Sequence, residues 1–413
     1  MIAKYRKRWL ADSLREAIEF SPVVVLSGAR QTGKSTLLKN ERPFKNWHYI
    51  SFDDLDILAL ANKNPEEILN ISDNMVIDEV QKSPDFIHAV KRAIDRDRSR
   101  RIVLSGSANL LLIKKVSESL AGRAIYFNLM PFAFGELPGR KDNGWFSSFL
   151  DTGELLSIEA NKYRPVNKVN GDLRQNLLRG FLPPVAFLKK ESHIAMWWKG
   201  YVKTYLESDL REISEISHLS DFRKMMELLA LRCSNILKQS EIARDAALSQ
   251  ATAGRYINIL EATGLFLKLR PYSKNISKRL IKSPKGFFID SGLIASLAGF
   301  SSVASVAESF MGALFESYVL LNLIVRAAVI GGEVFYFRTQ GGKERAVDFI
   351  FEKDNKIVAI EVKLSDNVSI RDINNMLFFK DLSSKFTGGL IIYAGKEIKQ
   401  LTKNIFAIPW NMF

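Results

Sequence analysis

Three short apolar runs punctuate the first quarter of the chain: Val23-Val24-Val25-Leu26, Met75-Val76-Ile77 and Ile102-Val103-Leu104. Continuous apolar runs of this length, with no polar alternation, predict strands buried on both faces of a parallel sheet. Each breaks abruptly into small, glycine-containing or acidic residues, and Thr36-Leu37-Leu38-Lys39 after the first opens like a helix. An α/β core follows from that pattern. Residues 131–180, with Pro131, Pro138, Gly139 and many polar positions, read as an insertion or extended loops. Pro183-Pro184 then breaks the chain, and the stretch 193–215 carries Trp197, Tyr201 and Tyr205 at i, i+4 spacing. Such a stripe predicts a packed helix, read here as a lid or connector.

Further on, the period changes again. Leu228-Leu229-Ala230-Leu231, Ser240-Glu241-Ile242-Ala243 and the stretch 249–260 predict three successive helices, the last with Tyr256, Ile259 and Leu260 on one inward stripe. Gly264 stops it, and two extended runs follow at 265–270 and 286–289. Three helices and a hairpin predict a winged helix. Gln250, Thr252 and Arg255 then fall on the exposed face that would read a major groove. Lys274, Lys278, Arg279, Lys282 and Lys285 would line a wing that contacts phosphates. In the last third, 346–352 and 356–363 alternate like strands around Lys353-Asp354-Asn355. With Asp354-Asn355 as a two-residue turn, opposed residue numbers sum to 709, which sets Asp348 across from Glu361. Lys363 lies two residues on along the same face. Like charges opposed in this way repel and call for a compensating cation, so Asp348 and Glu361 are candidate metal ligands, with Lys363 placed to stabilise an attacking hydroxide.

The residues in the first break carry the clearest chemistry. Gly28-Ala29-Arg30-Gln31-Thr32-Gly33-Lys34-Ser35 is a complete G-x-x-x-x-G-K-[ST] phosphate loop between a strand and a helix. Its glycines let backbone N–H groups face phosphate oxygens, Lys34 adds a point charge, and the Ser35 hydroxyl reaches Mg²⁺. Gly28, Gln31, Thr32, Gly33, Lys34, Ser35 and Thr36 are thus the expected nucleoside-triphosphate cradle. Asp78, closing the second run, suits a Mg²⁺ held through its water shell, and Glu79 suits polarisation of the attacking water. Ser107 and Asn109, at the carboxyl end of the third run, face the crevice where open α/β sheets bind ligands and are candidates to touch the γ-phosphate or the water.

With these residues in place the chain resembles a family: the AAA-type ATPases of bacteria and archaea that carry a C-terminal restriction-endonuclease-like domain. The resemblance rests on the phosphate loop, Ile77-Asp78-Glu79-Val80-Gln81-Lys82-Ser83-Pro84, Leu104-Ser105-Gly106-Ser107 and Leu120-Ala121-Gly122-Arg123. Downstream it extends to Tyr201-Val202-Lys203-Thr204-Tyr205-Leu206 and Phe288-Ile289-Asp290-Ser291-Gly292-Leu293, nearly the whole chain. It implies ATP as the nucleotide, and Arg123 as a finger reaching a neighbouring subunit's nucleotide in a homo-oligomer, a ring or partial ring. In the C-terminal part, Asp348, Glu361 and Lys363 resemble the D…E-x-K set of restriction-endonuclease-like folds. Gly312-Ala313-Leu314-Phe315-Glu316 resembles the helix that adds a further acid, Glu316. Ala346 departs from that pattern, because relatives often hold an acid near there.

Charge distribution sharpens the partner. The formal net charge is +14, and 13 lysines and arginines against six acids between Asp221 and Asp290 place half of that excess in the expected winged helix. That balance points to DNA. A single cysteine, Cys233, forms no intrachain disulfide and four histidines lack zinc spacing, so a reducing cytoplasm is expected. The basic N-terminus is followed by Glu16 and Glu19 without an apolar core, unlike a leader peptide. The stretch 318–330 is 13 residues long, contains Arg326, and is too short to span a bilayer. The expected layout is an ATPase core at 1–180, a helical lid at 181–219, a winged helix at 220–298 and an endonuclease-like α/β domain at 299–413. The expected activity is Mg²⁺-dependent ATP hydrolysis coupled to processing or remodelling of DNA. The alternative is a slow nucleotide switch with a non-cleaving C-terminal domain.

Overall fold

The computed structural model describes residues 5–107, 119–142, 144–155, 172–204, 218–275, 279, 283–339 and 344–413. The chain divides into two compact units: residues up to 130 with 259–265, and residues 131–258 with 266–413.

The first unit is built on a five-stranded parallel sheet, β1 (Val23–Ser27), β2 (His48–Ser51), β3 (Asn74–Asp78), β4 (Arg101–Ser105) and β5 (Ala124–Asn128), in the order β2-β3-β4-β1-β5. The three apolar runs are β1, β3 and β4. Alternate residues of β1 serve opposite faces, which is why the run is continuous. Val23 and Val25 pack with Ile68, Phe86 and Val90, whereas Val24 and Leu26 pack with Leu14, Ile18, Leu37 and Leu38. Helices α1 (Leu10–Phe20) and α2 (Lys34–Asn40) supply the second set, and α4 (Pro65–Leu69) and α5 (Phe86–Arg96) the first. Each such valine or leucine, fully buried, contributes roughly 1.5–3 kcal/mol. Helix α3 (Leu55–Lys63) starts at Asp54, whose carboxylate accepts the Asp56 and Ile57 N–H groups.

The second unit begins with α6 (Trp145–Thr152), α7 (Leu173–Arg179) and α8 (Glu191–Thr204). It continues with α9 (Leu219–Leu231), α10 (Gln239–Ala246) and α11 (Gln250–Ala262), of which 250–258 fall in this unit, then an antiparallel hairpin of β6 (Phe266–Leu269) and β7 (Lys285–Phe288). After α12 (Ser291–Leu297) and α13 (Glu308–Ile330) comes a six-stranded mixed sheet with α14 (Asn374–Leu382) packed on it. Its strands β8 (Glu333–Arg338), β9 (Ala346–Lys353), β10 (Lys356–Lys363), β11 (Phe386–Tyr393), β12 (Lys399–Thr402) and β13 (Ile405–Pro409) run in the order β12-β13-β11-β10-β9-β8. The β9–β10 register keeps the expected sum: Lys353 faces Lys356 and Phe349 faces Ile360. Asp354 takes the positive φ of 53° that a tight turn there demands.

Two expectations need correction. The described residues of 131–180, namely 131–142, 144–155 and 172–180, cluster with the second unit rather than with the ATPase core. The reason is apolar: α6 buries Phe146 and Phe149 against Phe351 and Phe406 of the C-terminal sheet. The 13-residue apolar stretch is likewise only the end of α13, whose 23 residues are long and apolar enough to cross a membrane by length and composition. In the fold, 61% of its apolar window is buried, and it packs against β8, β9, β10, α7 and α12.

A single carboxylate ties the beginning of the second unit to its middle. Asp290 caps α12 by accepting the Gly292 N–H at 2.8 Å, and also accepts the N–H groups of Phe181 at 2.7 Å and Leu182 at 2.9 Å. Gly180, at φ +81°, lets the chain come this close, since a Cβ there would lie 2.1 Å from Asp290 Oδ1. Burial pushes the Asp290 carboxyl up to about 6 against these N–H groups. Asp290→Ala strands three buried donors and is expected to cost about 3 kcal/mol or more, with Asp290→Asn costing less. Denaturant midpoints of the two variants measure the difference.

Candidate active site

At the carboxyl end of β1 the chain must turn sharply beneath a helix N-terminus, and the loop residues show how. Gly28 has φ +151°, and a Cβ on it would meet the Leu129 carbonyl oxygen at 2.5 Å. Gln31 and Gly33 also take positive φ values, 67° and 96°. Gly33 is the N-cap of α2, so the loop leads directly into the positive end of the helix, the part of a helix that favours anions. Lys34 is buried, and its Nζ donates to the carbonyls of Gly28 at 2.9 Å and Ala29 at 3.1 Å. Burial pulls the Lys34 ammonium down to about 8, while the Glu79 and Asp78 carboxylates pull the other way. Thr32 Oγ1 closes the loop onto the Ala29 carbonyl at 2.9 Å, Ser35 lies in the first turn of α2, and Thr36 beside it is exposed.

The two acids stand where β3 ends. Because β4 lies between β3 and β1, the ends of three neighbouring strands face one crevice. Asp78 is buried; its Oδ1 accepts the Glu79 N–H at 3.1 Å and its Oδ2 accepts the Tyr49 hydroxyl. Glu79 is left-handed at φ 55°, which swings its side chain out of the strand, and Gln81 Nε2 donates to its Oε2. Burial raises the Glu79 carboxyl above its ordinary value, with Gln81 and Lys34 opposing and Asp78 adding to the rise. Ser107 follows β4 at half burial, and Asn109 lies outside the described residues. Arg123 precedes β5, half-buried, with its Nε 2.6 Å from Asp95 Oδ1.

A nucleoside triphosphate and Mg²⁺ fit this residue set. The Gly28 position admits no side chain, the lysine charge is already turned onto the loop, and hydroxyl and carboxylate donors of the hard-oxygen kind that Mg²⁺ takes flank it. Four contributors escaped the sequence reading. Buried Arg8 binds the Thr32 carbonyl at 2.9 Å and the Met130 carbonyl at 2.6 Å, pinning the loop from outside; in sequence it was only one of several basic residues. Tyr49 and Gln81 orient the two acids. Ser105, at the end of β4, is fully buried with a hydroxyl that has no hydrogen-bond partner among the described residues.

In the second unit, the expected acidic set does assemble. Asp348 Oδ2 accepts the Val362 N–H at 2.9 Å, and Lys363 Nζ lies 3.9 Å from Glu361 Oε2. Glu316, from α13, pairs with Lys285 at 3.6 Å. Burial first, and Asp348 second, push Glu316 up to about 7 and Glu361 well above its ordinary value. Among the described residues Glu361 Oε1 has no hydrogen-bond partner, and Glu316 Oε2 has only the longer Lys285 ion pair. Among the described residues, however, no group of three or more His, Cys, Asp or Glu side chains is arranged to hold a metal ion. The set is a carboxylate pair with a third acid beside it and two lysines in attendance.

The helix–helix–hairpin segment places its cations unevenly. Gln250 and Arg255 of α11 are exposed and Thr252 is half-buried. Lys274 is exposed, and Lys278 and Lys282 lie outside the described residues. Arg279 and Lys285 do not line a wing. Arg279 Nη1 bonds Glu352 at 2.7 Å and its guanidinium stacks over Tyr272 and Phe335, while Lys285 turns to Glu316. Burial against an apolar sheet edge with an acid in reach outweighs exposure for both.

Comparison with known proteins agrees with the first unit's geometry. Residues 20–138 match the AAA domain family, residues 170–304 a domain of unknown function (DUF8612) and residues 311–413 another (DUF4143). An uncharacterized protein of Mycobacterium tuberculosis is 29% identical over 410 residues, covering 98% of this chain and 83% of its own length. One from Methanocaldococcus jannaschii is 23% identical over 368 residues, covering 85% and 77%. Among solved structures, a Walker-type ATPase of Pyrococcus abyssi is similar at 17% identity and a TM-score of 0.43, over 70% of this chain and 94% of that one. The chain is an ATPase with an AAA-type P-loop domain.

Proposed function

We infer that this ATPase is Mg²⁺-dependent and couples ATP hydrolysis to a grip on DNA. The residues fit a division of labour. The loop and Lys34 hold the triphosphate, Ser35 and Asp78 would hold Mg²⁺, which supplies charge neutralisation at the phosphates, and Glu79 orients and polarises the attacking water. Gln81 and Tyr49 keep the two acids aimed. Copies of the chain would assemble so that Arg123 leaves Asp95 for a neighbour's nucleotide.

The observation that carries the DNA reading is the exposed Gln250–Arg255 face of α11, on a winged-helix-like order of three helices and a hairpin, within the segment that holds half the net charge. Duplex binding measured across salt is expected to give a log–log slope of about −3 to −5, as three to five phosphate contacts require. A slope near zero, with no stimulation of ATP turnover by duplex, fork or junction DNA, leaves the slow nucleotide switch instead. Cleavage by the C-terminal unit is the second reading, favoured by the buried Glu361, whose Oε1 has no hydrogen-bond partner among the described residues, with Asp348 and Glu316 acting on it. It requires metal-dependent nicking that disappears in Asp348→Ala.

A further inference from the structure

Strand β2 is short, half-exposed and carries no recognised motif, yet it lies directly beside the strand that ends in Asp78. In the parallel register Tyr49 faces Val76 and Ser51 faces Asp78. Tyr49 therefore shares a sheet face with Asp78 one step further along. It leans in the strand direction, and its hydroxyl donates to Asp78 Oδ2. The other carboxylate oxygen is already taken by the Glu79 N–H at 3.1 Å, so both Asp78 oxygens are fixed by donors from different segments. Burial and the Asp78 carboxylate hold the phenol well above its ordinary range, with Ser35 of α2 opposing the rise. Tyr49 thus bonds the carboxylate that would hold Mg²⁺ together with Ser35. Its ring is held too: Lys39 Nζ, one turn along α2 from Ser35, lies 4.4 Å from the ring centroid.

We propose that Tyr49 is a positioning residue for the Mg²⁺ site, fixing the Asp78 carboxylate opposite Ser35 so that the cation finds its ligands prearranged. The inference rests on Ser35 and Asp78 being the metal-holding pair. Free rotation of a carboxylate at a strand end would otherwise have to be frozen each time Mg·ATP enters. A donor that orients an acidic group from behind commonly changes metal affinity by about tenfold or more.

Tyr49→Phe in the full-length protein keeps the ring, its packing and the Lys39 contact, and removes only the hydroxyl. Calorimetric titration with ATP alone is expected to be unchanged by it. The gain in ATP affinity on adding MgCl₂ is expected to shrink about tenfold, and the Mg²⁺ concentration giving half-maximal turnover to rise by a similar factor. In an Asp78→Asn background, where the carboxylate is already gone, Tyr49→Phe should add little. A Mg²⁺ gain that is preserved or enlarged in Tyr49→Phe overturns the proposal, the enlarged case showing that the phenol competes with the cation. Loss of binding with and without Mg²⁺ also overturns it, because the residue would then serve the fold. Failure of the underlying assignment looks different: Asp78→Asn itself would leave the Mg²⁺ gain intact.

Discussion

Lys34→Ala is expected to lower ATP turnover by about 10²–10³-fold, the cost of deleting one preorganised charge aimed at a developing phosphate charge. The structure adds a second loss. Lys34 Nζ holds the Gly28 and Ala29 carbonyls at 2.9 and 3.1 Å, so its removal also releases the front of the loop. ATP affinity should therefore fall together with turnover. Its ammonium, drawn down to about 8 by burial, still titrates above neutrality, so the wild-type lysine acts as a cation in the working range. Equilibrium binding of ATP and steady-state turnover in the same preparation test both losses. Unchanged values for both would remove the phosphate loop from the site.

Glu79→Gln separates binding from chemistry. Glu79 projects from a left-handed position, and the bond it accepts from Gln81 Nε2 is one that an amide oxygen also accepts, so ATP should bind with nearly its usual affinity. Hydrolysis should drop about 10²–10⁴-fold, the usual weight of a positioned general base. The pH dependence carries a sign. Burial raises the Glu79 carboxyl, and only the ionised form can take a proton from water. Turnover should thus decline on the acid side at a pH above the ordinary glutamate range, and that acid limb should vanish in the variant's residual rate. A Glu79→Gln protein with wild-type turnover would pass the role to another group, and Ser105 would be the next to test.

Much of this site was legible because its chemistry is local. A phosphate loop is eight consecutive residues, and Asp78-Glu79 follow one apolar run, so spacing alone carries them. The β9–β10 pairing was legible for a related reason: a two-residue turn fixes register, and register fixes which side chains oppose. Tyr49, Gln81 and Arg8 were not legible. Gln81 acts through one bond to Glu79, Tyr49 and Arg8 act across strands or loops, and nothing in His48-Tyr49-Ile50-Ser51 announces a neighbour 29 residues on. The misplacement of 131–180 has the same origin. Sequence continuity suggested the ATPase core, whereas Phe146 and Phe149 pack on Phe351, Phe413 and Phe406, more than 200 residues later. Arg279 and Lys285 show the converse error. A run of cations looks like a solvated wing until the fold supplies Glu352 and Glu316.

The Asp290 tie has a consequence for synthesis on the ribosome. The parallel sheet of β1 to β5 is complete once residue 128 has been made, but Phe181 and Leu182 wait 109 and 108 residues for the carboxylate that receives their N–H groups. At about 5–20 residues per second that wait lasts roughly 5–20 s. Over that interval a nascent chain could already hold nucleotide while the apolar helices behind it still lack their counterparts, which makes this the stretch where a chaperone would be expected to engage.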